Sequence, residues 1–459
     1  MKPASLFPSD ETLGVNTDLY ELTMAAAYFK AGRMADQSTF ELFTRALPGT
    51  RNFLVAAGLE QAVHFVENLR FNDDILGYLR GLQIFESTED AFFDYLGSLR
   101  FTGEIRALPE GTIFFPNEPI IQVTAPIIEA QIVETYLINS VNFQSMVASK
   151  AARVCLAAAG RPVIDFGARR AHSPQAGVLA ARAAFISGCE GTSNVLAGYQ
   201  MGIPIYGTMA HSFVQFFEEE GEAFERFYQA FGRDSTILVD TYESLAGVRK
   251  ALDLPEDIAA VRLDSGDLEA LAVKTRELLD QHGHSGVRIF ASGDLNEEKI
   301  QTLADSPIDG YGVGTDLVVS CDAPSCNLVY KLVEVDREGT VSPRMKTSEG
   351  KATLPHRKQI FRQLCTRGYF SGDWLCGASE SAPEGAGEPH SLLQKYVQNG
   401  EILGELPDVF QIKEYAREQI SKLPAALKRL DTTEPYRVEY SPHLRQVQGQ
   451  LGETHEGSH

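Results

Sequence analysis

Residues 203–217 read IPIYGTMAHSFVQFF, and the reading of this stretch decides the fold. Ile203, Pro204, Ile205 and Tyr206 make a run that is apolar and short enough for a buried strand. Gly207 breaks the run, and from His211 an amphipathic segment begins, with Phe213, Phe216, Phe217, Phe224 and Phe227 on one broad face. Thr208 and His211 therefore fall on the loop between a strand end and a helix start. A helix start offers free N–H groups and the positive end of the dipole, so it suits anions such as phosphate. A lone histidine at such a place also fits a simple helix cap, and the stretch by itself is compatible with both.

The same order of residue types recurs. Residues 163–166 lead into GARRAHS, 237–239 into DTYES, 259–263 into DSGD, 287–291 into SGD, and 308–313 into GTD. Each apolar run is followed by a polar loop and then by helical sequence. Strands alternating with helices pair in parallel through right-handed crossovers, and this many units predict a closed or nearly closed barrel. In such barrels the loops after the strand ends build the active site. Those loops hold Arg169, Arg170, His172, Thr208, His211, Asp240, Arg262, Asp264, Asp267, Asp294 and Thr315.

The chemistry of that set points to a phosphorylated, metal-bound substrate. Arg169, Arg170 and Arg262 offer planar donor forks for phosphate or carboxylate, although one of the first two also fits a structural ion pair. Asp264, Asp267 and Asp294 suit Mg²⁺, which takes oxygen ligands and rides on substrate phosphates, or the hydroxyls of a sugar. Gly293 and Gly314 lack a Cβ, so their N–H groups can approach phosphate closely. DSGD and SGD also fit helix caps.

Outside this rhythm, 16–32 reads as a helix with capping-box spacing at Asp18 and Glu21, and Tyr20 lies in its first turn. Residues 37–47 are strand-like, 51–69 helical, 72–82 and 88–99 short helices, and 104–126 short strands divided by four prolines. The apolar stretch 127–159 suits a long helix packed between two domains. Residues 329–335 are a further strand candidate, 377–389 a flexible loop, 407–430 helical, and 452–459 a frayed tail. The expected architecture is an irregular TIM-like α/β barrel over 127–335, with an N-terminal α+β domain over 1–126. A partly flexible C-terminal extension over 336–459 packs back on the N-terminal domain.

Composition narrows the partners. The 459 residues carry a formal net charge of -21, which repels nucleic acid and anionic lipid. No stretch reads as a membrane span or signal segment. Six cysteines without tight paired spacing fit reduced thiols in the cytoplasm rather than disulfides or a zinc site.

The stretches TDLYELTMA, FGARRAHS, GCEGTSNVLAG, YGTMAHSF, LVDTYES, VRLDSGDL, SGDLNEEKI and YGVGTDLV, in this order from Thr17 to Val335, resemble nicotinate phosphoribosyltransferases. The segment between Tyr242 and Val261 is shorter than in the longer members, and no motif after Val335 carries the likeness. The resemblance implies transfer of a phosphoribosyl group from phosphoribosyl pyrophosphate to nicotinate, with ATP hydrolysis coupled through a phosphohistidine. It also implies Mg²⁺, a homodimer with sites at the subunit interface, and a place in NAD salvage. By the same likeness His211 is the phosphohistidine, and Tyr20, Thr208 and Arg262 contact nicotinate. Thr315, with Gly293, Asp294 and Gly314, holds the phosphate end of the donor. Arg169 and Tyr20 flank the pyridine ring, Tyr20 reaching in from the partner subunit. Ser193 stands where the related nicotinamide enzyme has an aspartate, so it reads either as a sensor of the substrate carboxylate or as a helix cap.

On chemical grounds, a phosphoryl-accepting histidine needs a neutral ring oriented by a carboxylate, for which Asp240 is the candidate. Asp264 suits stabilisation of positive charge developing on the ribose. Two other readings use the same groups: a barrel lyase or isomerase for phosphosugars, and a non-catalytic pyridine-nucleotide binding protein.

Overall fold

The computed structural model describes residues 8–348, 352–382 and 390–456. Part of the loop expected at 377–389 and the last residues of the expected tail lie outside these. The described part of the tail is the end of a helix, Pro442–Glu456.

Six parallel strands form one curled sheet. In spatial order they are Gly191–Thr192, Val163–Asp165, Gly310–Val313, Arg288–Ala291, Ala260–Leu263 and Thr236–Leu238. Their apolar runs are buried on both faces, as parallel strands require. The segment 203–208 bridges the open side. Ile205 pairs with Thr192 at one edge, and Thr208 Oγ1 donates to the carbonyl of Thr236 at the other, 2.6 Å away. The sheet is thereby an irregular TIM-like barrel. The strand expected at 203–206 shrinks to that single bridge. Only Ile203 is buried there; Ile205 and Tyr206 are exposed, because the run closes the barrel from its rim and has no full strand partner. The aromatic segment after it is likewise two helices, His211–Phe216 and Glu220–Phe231, with Phe216 in solvent.

A second, antiparallel sheet of seven strands has Ile121–Pro126 at its centre and Gln37–Phe43 beside it. The strand Val329–Arg337 forms as expected but pairs with Gln37–Phe43, so it belongs to this sheet and not to the barrel. On the far side Gln394–Gln398 pairs with Glu104–Ala107, so the C-terminal segment returns to the N-terminal sheet. Residues 51–69, expected to be helical throughout, instead give a short strand, Leu54–Val55, before the helix Leu59–Asn68. Gly58, with positive φ, turns the chain between them.

The helix Glu134–Ala157 ties these parts together. Leu137, Val141 and Met146 enter the N-terminal core, Val147, Ala148 and Ala152 a second cluster, and Ala151, Val154 and Ala157 the barrel core. Its polar side chains are also buried. Lys150 Nζ lies 2.6 Å from Glu297 and 2.9 Å from Asp322, and Arg153 Nε donates to Glu297 at 2.9 Å. Glu297 and Asp322 follow the last two barrel loops, so this network holds the backs of those loops. Removing one partner of such a buried pair costs about 3–5 kcal/mol. The described residues contain no helix long and apolar enough to cross a membrane.

Candidate active site

The barrel strands end on one side, and their loops converge there. Arg169, Arg170, Arg262, Asp264, Gly293, Asp294, Gly314 and Thr315 line one cavity of about 180 Å³, together with Phe166 and Ser292. Neither Arg169 nor Arg170 forms an ion pair among the described residues, so both are free to meet an anion. The loop carrying them is fixed from below by Asp165. Its carboxylate accepts from Gly167 N at 2.8 Å and from Thr192 Oγ1 at 2.7 Å. Burial raises the pKa of Asp165, against these two hydrogen bonds.

Arg262 is already engaged. Its Nη2 donates to Asp264 at 2.6 Å and its Nε to Ser292 Oγ at 2.7 Å, while Ser292 Oγ donates to the same Asp264 oxygen at 2.5 Å. The guanidinium also lies over the Phe166 ring, 5.5 Å from its centroid. Burial pushes the Asp264 carboxyl up. The Ser292 hydrogen bond, the Arg262 charge and the nearby His211 outweigh it and hold the pKa below the ordinary carboxylate value. Asp264 is therefore an anion at neutral pH.

His211 is the first residue of its helix. Ala210 occupies the cap position, so the histidine does not serve as a cap. The ring lies between two groups: Nδ1 is 3.2 Å from Thr241 Oγ1, and Nε2 is 3.7 Å from Asp264. The expected pairing with Asp240 is not the one formed. Asp240 Oδ2 instead accepts from Asp264 N at 2.9 Å and Ser265 Oγ at 2.7 Å, because the DSGD loop folds over the end of its strand. Its Oδ1 is buried with no hydrogen bond among the described residues. The partner seen, Thr241, lies within the quoted LVDTYES motif but was passed over in favour of the charged residue beside it.

The two apparent caps in the loop motifs separate here. Asp267 accepts from Ala270 N at 3.1 Å, caps the helix Leu268–Gln281 and does not line the cavity. Asp294 caps nothing; the next helix is capped by Asn296. Gly293 lacks a Cβ for a reason other than phosphate access. It has φ +97°, and a Cβ would lie 1.8 Å from the Asp264 carbonyl oxygen, so two strand ends touch at this point. Ser193 follows the strand Gly191–Thr192, half-buried, its N–H donating to Asp165 O at 2.8 Å. The cap of the following helix is Asn194, which removes the capping reading of Ser193.

Thr208 lines an adjoining cavity of about 160 Å³ that shares Phe166 with the first. Phe166 is the residue that the sequence reading missed. An aromatic at the end of a buried strand reads as core, yet its half-buried ring faces both cavities. Tyr20 lines neither. It stands half-exposed beside Glu134 and Glu21, its pKa raised by burial and by those carboxylates. His172 is exposed and also lines neither cavity. No group of three or more His, Cys, Asp or Glu with metal-site geometry occurs among the described residues.

Most of the chain is similar to known proteins. Residues 15–142 match the nicotinate phosphoribosyltransferase N-terminal domain, 147–322 the quinolinate phosphoribosyl transferase C-terminal domain, and 386–448 the nicotinate phosphoribosyltransferase C-terminal domain. The last match extends the likeness past Val335, where no motif had carried it. A nicotinate phosphoribosyltransferase of Mycobacterium tuberculosis is 49% identical over 426 residues, covering 91% of this chain and 89% of that protein. The Bacillus subtilis one is 36% identical over 462 residues, covering 94% of each. The crystal structure of human nicotinic acid phosphoribosyltransferase superposes with a TM-score of 0.82 at 31% identity, covering 95% of this chain and 99% of the human one. The chain belongs to the nicotinate phosphoribosyltransferase family.

Proposed function

We propose that this protein joins nicotinate to the ribose of phosphoribosyl pyrophosphate, releasing pyrophosphate and forming nicotinate mononucleotide, with ATP hydrolysis coupled through phosphorylated His211. The observation that carries the reading is the cavity where free arginines, two carboxylates and two glycine loops meet, with His211 beside it, in a chain of this family.

The pyridine ring lies on Phe166, and Arg262 turns from Asp264 to the substrate carboxylate. Thr208 completes that end. Arg169 and Arg170 take the pyrophosphate, and the N–H groups at Gly314 and Thr315 take the 5-phosphate at a helix start. As the ribose C1–oxygen bond breaks, positive charge builds on the sugar, and the released Asp264 carboxylate faces it. The ring nitrogen of nicotinate then forms the new bond.

The Thr241 hydroxyl at Nδ1 can donate or accept, so it admits the tautomer with the proton on Nδ1, in which Nε2 carries its lone pair on the side of Asp264. Nε2 attacks the terminal phosphorus of ATP, the bond to ADP breaks, and the phosphohistidine is later hydrolysed. Asp264 and Asp294 fit Mg²⁺ as it is used with phosphate substrates, through one or two carboxylates and no protein cage. The ion would neutralise pyrophosphate charge as the bond breaks. Tyr20 lines neither cavity of its own chain, which supports a homodimer in which each subunit completes the other. Such an activity would serve NAD salvage, and six cysteines without paired spacing support a cytoplasmic setting.

Two measurements test this. Products are analysed with nicotinate, nicotinamide and quinolinate offered together; nicotinate mononucleotide is expected to dominate. Labelled ATP is expected to leave acid-labile phosphate on the wild type and none on His211→Ala. Labelled phosphoenzyme in that variant refutes the histidine's role, and absence of any nucleotide product refutes the reaction.

A further inference from the structure

A cavity of about 590 Å³ lies away from the barrel mouth, between the helices Glu134–Ala157, Pro174–Ile186 and Val409–Ser421. Pockets for small organic ligands run from about 300 to 1,000 Å³, so this one has the size for a mononucleotide. Its wall has the matching parts. Phe410, half-exposed, meets the buried Phe185 edge to face at 5.2 Å and so presents a fixed ring to a planar base, while Lys413 covers the Phe185 ring at 4.3 Å. Lys413 and Arg417, one helical turn apart, are its cations; Arg417 is held only by an exposed pair with Glu414 at 3.5 Å, which a phosphate can displace. Glu190 and Glu414, paired with Lys413 and Arg417, keep further carboxylate lone pairs as acceptors for ribose hydroxyls. A further feature is independent of these. Ser187 lines the cavity at 1% exposure, and its Oγ makes no hydrogen bond among the described residues. A buried hydroxyl without a partner is costly, and a polar ligand atom or an ordered water would satisfy it.

The cavity also touches the strand ends that serve the candidate active site. Lys413 Nζ donates to Cys189 O at 2.8 Å and lies 3.6 Å from Glu190. Glu190 leads directly into Gly191–Thr192 and Ser193. Pro204, also on the wall, accepts from Thr192 N at 3.0 Å and begins the segment that ends in Thr208.

We propose that this cavity is a second ligand site for a mononucleotide, and that its occupancy changes nicotinate binding by shifting Glu190 and Pro204. The binding claim stands by itself; the effect on nicotinate rests on the reading of the active site given above.

Cys155, half-buried on the cavity wall, provides the probe, and exposed Cys321 the control. Alkylation of each by N-ethylmaleimide is followed by mass spectrometry with adenosine monophosphate or ribose 5-phosphate present. Saturating adenosine monophosphate is expected to slow Cys155 labelling by about tenfold and to leave Cys321 unchanged. Ribose 5-phosphate, lacking the base, is expected to protect only at higher concentration. Phe410→Ala and Arg417→Glu, at exposed positions that leave the fold and basal activity intact, are expected to abolish protection. Absence of protection in the wild type, or protection that survives both variants, overturns the site. The nicotinate KM, measured at saturating ATP, is expected to move with adenosine monophosphate in the wild type and not in the variants. A KM that does not move while Cys155 is protected overturns the coupling.

Discussion

Gly293→Ala is expected to damage phosphoribosyl transfer far more than so small a change suggests. The added methyl would lie 1.8 Å from the carbonyl oxygen of Asp264 and 2.8 Å from its carbonyl carbon, whereas real Cβ atoms keep about 3.0 Å or more. Both neighbours are backbone, so no side-chain rotation relieves the clash. The ends of Ala260–Leu263 and Arg288–Ala291 must part by more than about 1 Å. They are held by the hydrogen bond from Ser292 N to Leu263 O at 2.8 Å and by the Arg262–Asp264–Ser292 cluster. In addition φ +97° is a left-handed conformation, which costs an L-residue about 1–2 kcal/mol. A displacement of roughly 1 Å at a reacting group costs on the order of 100-fold, or about 2.7 kcal/mol. The assay is kcat/KM for phosphoribosyl pyrophosphate beside the melting temperature, with Gly207→Ala as control. Gly207 is in the neighbouring GTMAHS loop, and a Cβ there meets nothing within 4 Å. The variant should lose about two orders of magnitude, and the control should stay near wild type. A Gly293→Ala enzyme with unchanged kcat/KM and melting temperature would refute the argument.

Ser193→Asp should cut efficiency with nicotinate severely and move the ratio toward nicotinamide, since an added carboxylate repels the acid and accepts from an amide; a site that pairs polar groups can discriminate by roughly 10⁴. A ratio that does not move shows that Ser193 does not sense the carboxylate. Mixing impaired Tyr20→Ala chains with impaired His211→Ala chains should restore part of the activity through hybrid dimers, and no recovery with mixed dimers present would mean that each chain builds its own site. Burial, with Glu134 and Asp18 adding to it against the Thr135 hydrogen bonds, raises the Glu21 carboxyl from 4.5 to about 8. The folded state therefore holds an extra proton between these values, and its contribution to stability is full below pH 4.5 and lost as pH rises through about 8. Melting temperatures across this window should fall more steeply for the wild type than for Glu21→Gln, and parallel curves would count against it.

The alternation of buried strands with loop-borne arginines and aspartates was readable because it is local. A strand that must be buried on both faces needs a continuous apolar run, and a catalytic loop after it needs polar residues and glycine. Both are written within about ten residues of each other. The motifs around His211, Arg262 and Thr315 were legible for the same reason. Other features depend on what meets across the fold. Val329–Arg337 has the same apolar run whether it pairs with a barrel strand or with Gln37–Phe43, and only the observed register decides. Phe166 reads as core until the cavities on either side of its ring are seen. Asp240 was the natural partner for His211 by charge, but the DSGD loop claims its Oδ2, and Thr241 and Asp264 flank the ring instead. The order of strands and loops, and hence the barrel and its reactive groups, was determined by the sequence alone, because the apolar run of a buried strand and the polar loop after it are local patterns of residues. Which carboxylate faces the histidine, and why Gly293 has no side chain, was decided by tertiary structure, because both depend on contacts of a few ångströms between loops far apart in the chain.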